Sequence, residues 1–265
     1  MCGIAGFSIN ERDRQKINSR NLANKLLLAI VARGEDATGA GWVEEKNGVK
    51  EVFFAKAPIP ADLYVADNDM MAKRTPTAIL HTRYATKGSP ENNDNNHPIV
   101  IPNGVVGVHN GVIVNDDDLF EDYGWERIGE VDSEAIFQLI ANMAHPLDEL
   151  QILEGRASIS WIDINDPHTL HIARLAGSPL AVGHTFGGSL IFASTKNLLL
   201  EAVREAKVNL RETWDVPEMT YLKVRDGKIV KRQNLDDRPN EPTDTELFPK
   251  KTLFIPPYRH YSVRK

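Results

Sequence analysis

The 265-residue chain holds one cysteine, at position 2, where removal of Met1 would leave a thiol and a free α-amine on one residue. An α-amine has a pKa near ~8 and is tied to the thiol by the residue's own bonds. It can therefore take the thiol proton near neutral pH and leave a thiolate able to attack an acyl carbon. A lone Cys is as readily a small buried apolar group, so Cys2 needs support from the rest of the chain. A single cysteine excludes an internal disulfide and a Cys-based zinc cluster. Eight histidines show no persuasive metal-ligand spacing, with His168 and His171 on a predicted strand edge, so no metal is expected. No Gly-rich phosphate loop of the Walker type occurs, and no ATP chemistry or cofactor is expected.

A nucleophile at the chain start works only if that start is held. Cys2-Gly3-Ile4-Ala5-Gly6-Phe7-Ser8-Ile9 is rich in strand formers and predicts a buried strand. Ser19 precedes an apolar pattern at Leu22, Leu26, Leu27, Ile30 and Val31, ahead of Gly34, which predicts a capped amphipathic helix over 20–32. Strands are predicted at 39–44, 49–55, 77–82 and 99–101. A pair at 105–108 and 112–114 follows around a turn at Asn110-Gly111, a strong two-residue hairpin signal. A second helix is predicted over 133–143, capped by Asp132 or Ser133, with Ala135, Ile136, Leu139, Ile140 and Met143 on one face. Further strands are predicted at 157–164, 169–174, 180–183, 190–194 and 219–224, with a short helix near 196–205. The polar stretches Glu91–Asn96 and Asn115–Asp118 read as solvated loops. Runs of strands broken by a few helices give an α+β class, with one domain over 2–235 and an extended or partner-docking tail over 236–265.

Hydrophobic residues make up 42% and charged residues 26%, as in ordinary globular proteins. A net charge of −6 offers no field for phosphate backbones, so nucleic acid is excluded as a direct partner. The longest apolar run, Leu26–Ala32, falls far short of the roughly 18 residues a membrane helix needs. Glu11, Arg12, Asp13, Arg14 and Lys16 stand where a secretory signal would be apolar, so no membrane role and a cytoplasmic location are expected.

Five segments, in order, carry a resemblance. Met1-Cys2-Gly3-Ile4-Ala5-Gly6, Arg33-Gly34-Glu35-Asp36-Ala37-Thr38-Gly39, His81-Thr82-Arg83-Tyr84-Ala85-Thr86-Lys87-Gly88, His109-Asn110-Gly111 and Asp132-Ser133-Glu134 resemble the signature segments of the class II glutamine amidotransferases. Arg174, Gly177-Ser178-Pro179-Leu180 and Ala193-Ser194 resemble later core segments of that family, so the likeness covers roughly residues 2–230.

The resemblance implies roles. Cys2 would be the catalytic nucleophile. Arg83, with its planar fork, would bind the α-carboxylate of L-glutamine, and Asp132 its α-ammonium. The Asn110 amide and Gly111 N–H would form the oxyanion hole, the Asn-Gly turn serving fold and catalysis together. Tyr84 and Thr86 would lie on a loop over the substrate, and Arg33 and Asp36 would brace the site as a buried pair. Tyr84 stands where sugar-phosphate amidotransferases have Trp, and Lys87 where they have His, which bears on the acceptor side of the reaction.

The implied fold is a four-layer αββα sandwich of two antiparallel sheets, that of the N-terminal-nucleophile (Ntn) hydrolases. The implied reaction is glutamine hydrolysis to glutamate and ammonia through a Cys thioester. About thirty residues follow position 235, too few for an acceptor domain, so a separate ammonia-accepting synthase subunit is expected as partner. Two other readings stand beside this one: a catalytically idle glutamine-binding scaffold, and an Ntn amidohydrolase acting on another amide.

Overall fold

Every residue of the first strand, β1 (Gly3–Ser8), is buried in the computed structural model, which describes residues 2–66 and 71–236. A strand buried on both sides needs a sheet covered on both faces, and the remaining elements supply the cover. In chain order they begin with α1 (Ser19–Ile30), β2 (Ala37–Lys46), β3 (Val49–Ala57), α2 (Ala61–Ala66), β4 (Thr77–Arg83), β5 (Ile99–Val100) and β6 (Val105–Ile113). Next come α3 (Asp116–Tyr123), α4 (Ser133–Asn142), α5 (Pro146–Glu149), β7 (Gly155–Asp163), β8 (Thr169–Arg174), β9 (Ala181–Thr185) and β10 (Leu190–Ala193). The last are α6 (Lys196–Glu205), β11 (Leu210–Asp215), β12 (Thr220–Arg225) and β13 (Lys228–Asn234).

The strands form a seven-stranded sheet, β11-β9-β10-β1-β4-β2-β3, and a six-stranded sheet, β13-β12-β8-β7-β6-β5. All their pairings are antiparallel. Three apolar layers bind them. Leu22, Leu26, Leu27 and Ile30 of α1 and Leu199, Ala202 and Val203 of α6 pack with Ala5, Phe7 and Leu80 on the outer face of the first sheet. Ile4 and Ile79 meet Val106, Val108, Ile162 and Ile172 between the sheets. Ile136, Phe137 and Ile140 of α4 cover Ile159, Trp161 and Tyr221 on the far side. The result is a four-layer αββα sandwich. Each fully buried Leu, Ile or Phe stabilises it by about 1.5–3 kcal/mol.

Several expectations change on contact with the structure. Asn110 and Gly111 form no turn: they lie inside β6, whose register with β7 runs unbroken from Val105↔Asp163 to Ile113↔Gly155. The hairpin signal is local, whereas nine cross-strand pairs with β7 keep the chain extended. The polar stretches are only partly solvated, since Asn95 and Asn96 are fully buried and Asp116 opens α3 in a buried position. The cap of α1 is Asn18, whose side chain accepts from the Asn21 N–H, while Ser19 is buried inside the helix. Asp132 occupies the N-cap position of α4 but makes no side-chain capping bond. His171 lies in β8, between β7 and β12, and not at a sheet edge. The short helices α2, α3 and α5 and the strands β11 and β13 had no clear periodic signal. The tail beyond Asp236 and Met1 lie outside the described residues. No helix among the described residues is long and apolar enough to cross a membrane.

Candidate active site

Side-chain alternation brings the site together. In β4, Ile79 faces the inter-sheet layer and Leu80 the helices, so period two places His81 and Arg83 on the inter-sheet side. In β6, Val106 and Val108 face that layer, which carries Asn110 with them. Gly3 pairs with Thr82, which sets Cys2 beside the end of β4. Buried His81 stitches the sheets, its Nε2 donating to the His109 carbonyl at 3.1 Å, one residue before Asn110.

Cys2 is partly exposed and held at both ends. Its Sγ accepts from the Tyr84 N–H at 3.5 Å and points its proton to the Tyr84 carbonyl at 3.6 Å. Its carbonyl accepts from Arg33 Nε at 2.8 Å. Burial pushes the Cys2 thiol pKa up; the Tyr84 contact and the Arg83 charge pull it down, and Asp132 adds to the rise. The thiol therefore needs a base close by before it can act as a nucleophile.

Arg83 is buried, and burial lowers its pKa against the raising influence of Cys2, Asp36 and Asp132. Its Nη1 donates to Asn96 Oδ1 at 2.7 Å, and its Nη2 to the carbonyls of Lys87 and Gly88 at 2.7 and 2.8 Å. A guanidinium has five N–H donors, so Arg83 organises the loop after β4 and retains donors for an anion. Asp132, also buried, accepts from the Ile113 N–H at 2.7 Å. Alternate N–H groups of a strand point to the same edge, so the Gly111 N–H lies on the edge of β6 that faces Asp132. A Cβ at Gly111 would meet the Arg156 carbonyl oxygen at 1.8 Å, so only glycine fits there. The Asn110 side chain is buried, and neither its oxygen nor its nitrogen has a hydrogen-bond partner among the described residues.

Arg33 and Asp36 brace the site separately and not as a buried pair. Asp36 is exposed, and its carboxylate accepts from the Ala85 N–H at 2.7 Å, while half-buried Arg33 holds Cys2. The bracing targets are backbone groups at the surface end of β4, where water still reaches Asp36. Tyr84, 55% exposed, and exposed Thr86 lie on the segment that follows β4. A cleft of about 440 Å³ is lined by Val31–Asp36 and Tyr84, and Cys2, Arg83, Asn110 and Asp132 are not among its lining residues.

The sequence reading missed the second tier. His97 stacks on His81 at 4.0 Å between ring centres, and both are buried. Desolvation lowers the pKa of His81 to about 3 and that of His97 well below the ordinary value, so both are neutral. His109 Nδ1 pairs with Ser133 Oγ at 2.8 Å, tying the Asn110 strand to α4 beside Asp132. Lys56 Nζ donates to the carbonyls of Asn96 and Pro98 at 2.8 and 3.1 Å, fixing the residue that holds Arg83. The polar run before Pro98 was the available signal, masked by its resemblance to a solvated loop. Among the described residues, no group of three or more His, Cys, Asp or Glu could hold a metal ion.

Two facing antiparallel sheets between helical layers, with a thiol at the head of the first strand, define the N-terminal-nucleophile hydrolase architecture. The fold matches that of a glutamine phosphoribosylpyrophosphate amidotransferase from B. subtilis complexed with ADP and GMP, with a TM-score of 0.72 at 18% identity, over 89% of this chain and 50% of that one. It also matches the allosteric regulatory enzyme of purine biosynthesis, with a TM-score of 0.71 at 19% identity, over 90% and 50%. Residues 81–201 match the family described as a glutamine amidotransferase domain. The chain is 32% identical over 247 residues to a glutamine–fructose-6-phosphate aminotransferase (isomerizing) of Staphylococcus aureus, covering 88% of this chain and 39% of that protein. The corresponding protein of Photorhabdus laumondii is 31% identical over 252 residues, covering 89% and 39%. The chain thus carries a class II glutamine amidotransferase domain, and it spans about two fifths of the length of these curated relatives.

Proposed function

We propose that this domain hydrolyses L-glutamine to glutamate and ammonia, with Cys2 as nucleophile after removal of Met1. The observation that carries the reading is the closeness of the Cys2 thiol to Arg83 and Asp132, with Asn110 on the inter-sheet side of β6 in support. The thiol is close enough to Arg83 and Asp132 to feel both charges.

The α-amine of Cys2 takes the thiol proton, and the thiolate attacks the side-chain carbonyl carbon of glutamine. Arg83 receives the substrate α-carboxylate on its remaining donors and Asp132 the α-ammonium. The charge developing on the amide oxygen falls to the Asn110 amide and the Gly111 N–H, which are set in place before the reaction. The proton on the amine passes to the leaving nitrogen and ammonia departs. Water, activated by the same amine, then splits the γ-glutamyl thioester and returns the thiol. Tyr84 and Thr86 line the entrance, and Arg33 and Asp36 hold Cys2 and Ala85 in place.

The relatives' names join this chemistry to fructose 6-phosphate or phosphoribosylpyrophosphate. For this chain we propose that the ammonia passes to a synthase on a separate subunit, in the cytoplasm. Retention of the whole set of Cys2, Arg83, Asn110, Gly111 and Asp132 favours turnover over an idle scaffold. The Arg83–Asp132 pair favours a free amino acid over another amide.

The experiment is the intact mass of the purified chain before and after 6-diazo-5-oxo-norleucine. Loss of Met1 and one adduct on Cys2 are expected. A processed chain that takes no label at Cys2 would refute the mechanism.

A further inference from the structure

Lys87 is bonded at both of its ends. Its carbonyl accepts from Arg83 Nη2 at 2.7 Å, and its ammonium donates to Asp116 Oδ2 at 2.6 Å and Asp117 Oδ1 at 3.3 Å. These carboxylates open α3, which begins just after β6 and its Asn110–Gly111 pair. Asp116 is nearly buried, with a side-chain exposure of 5%, and a carboxylate so placed needs cations beside it. It has two: Lys87 and Arg127, whose Nη2 reaches Asp116 at 2.7 Å and also contacts Asp117. The Arg127 guanidinium lies over the Phe120 ring, 4.1 Å from its centre, so it is held by α3 independently of Lys87.

We propose that Lys87 is a positioning residue for glutamine: its ion bridge to Asp116 and Asp117 pins the segment after β4, and with it Arg83, against the end of β6. The inference rests on the glutaminase reading for its kinetic consequence and on these contacts for its structural one. Residues 84–88 are fixed by the Tyr84 N–H on Cys2, the Ala85 N–H on Asp36, the Lys87 and Gly88 carbonyls on Arg83 and the Lys87 ammonium on Asp116. Of these five ties, the Lys87 ammonium is the one that reaches from this segment to the second sheet's helical layer. Without it Asp116 keeps Arg127, so α3 stays folded while the segment loosens.

The test compares the full chain with Lys87→Met and Lys87→Arg. For Lys87→Met, the KM for glutamine is expected to rise about five- to tenfold, with kcat changing far less, because ground-state placement is lost while the reacting groups remain. Lys87→Arg restores most of the KM. Raising NaCl from about 0.05 to 0.5 M screens the exposed Lys87–Asp117 arm of the bridge, so KM rises with salt more steeply in the parent than in Lys87→Met. Hydrogen exchange at the amides of residues 84–88, measured without glutamine, is expected to quicken at least about tenfold in Lys87→Met while α3 is unchanged. Unchanged exchange with unchanged, salt-independent KM overturns the proposal. Quickened exchange in a chain whose parent never hydrolyses glutamine sinks the glutaminase reading and leaves the bridge standing.

Discussion

Replacing Asn110 by Ala should separate stability from activity. The Asn110 amide is 1% exposed and bonds to nothing among the described residues. A buried amide left without a protein partner costs about 1–3 kcal/mol of folding free energy, which the alanine removes. Against this stands the lost packing of three side-chain atoms, a cavity penalty of about 1 kcal/mol or a little more. The two nearly cancel, so Asn110→Ala should match the parent in stability or exceed it by up to about 1–2 kcal/mol. At roughly 2–4 °C per kcal/mol for a chain of this size, the melting temperature is unchanged or rises by a few degrees. Loss of one oxyanion donor should meanwhile cut glutamine hydrolysis by about 10²–10³-fold, chiefly in kcat. The assays are urea denaturation followed by circular dichroism, and glutamate release in a coupled assay. A variant that is destabilised by more than about 2 kcal/mol yet hydrolyses glutamine at the parental rate would refute the reasoning, because Asn110 would then be a structural residue.

Further expectations follow from the same geometry. Gly111→Ala should lose more than about 3 kcal/mol in urea denaturation, since its Cβ would lie 1.8 Å from the Arg156 carbonyl oxygen and pry β6 from β7; a loss under about 1 kcal/mol would mean that the strands adjust freely. Cys2→Ala should abolish hydrolysis yet bind glutamine in calorimetry, because Arg83 and Asp132 are untouched; residual turnover near the parental rate would remove Cys2 from the mechanism. In chain that retains Met1, alkylation of Cys2 by iodoacetamide should have its pH midpoint above the roughly 8.5 of a free thiol, since burial raises the thiol pKa, and a midpoint below about 8 would contradict that. His81 and His171 are neutral in the fold, with pKa values lowered by burial to about 3. The unfolded chain binds those protons from about pH 6.5 downward, so each contributes stability that is present above about pH 6.5 and lost as pH falls toward about 3, at about 1.4 kcal/mol per pH unit. Urea midpoints at pH 7.5, 6 and 5 test this, and equal midpoints would exclude it.

Much of this protein was legible before folding. Periodicity located β1, α1, α4, α6 and most strands, because each is a run of apolar residues whose spacing matches one secondary structure. Resemblance of five ordered segments to a known amidotransferase family singled out Arg83, Asn110, Gly111 and Asp132 beside Cys2 as candidates. What failed were readings in which local chemistry competes with long-range pairing. Asn110-Gly111 has turn propensity, yet β7 supplies partners from 155 to 163 and the strand runs on. Asn95, Asn96 and Asp116 look like solvent-facing residues, yet they are buried because Arg83, Lys56, Lys87 and Arg127 satisfy them or their neighbours from distant elements. By itself the sequence determined the kind of elements, the order in which they come and the identity of the groups able to do chemistry, all properties that depend on near neighbours along the chain. Only the tertiary structure decided that Asp36 holds Ala85 from an exposed position, that Arg83 spends part of its fork on its own loop and that Lys87 reaches α3, because hydrogen bonds and ion pairs are made at distances of about 3 Å between residues whose separation in sequence carries no trace of that approach.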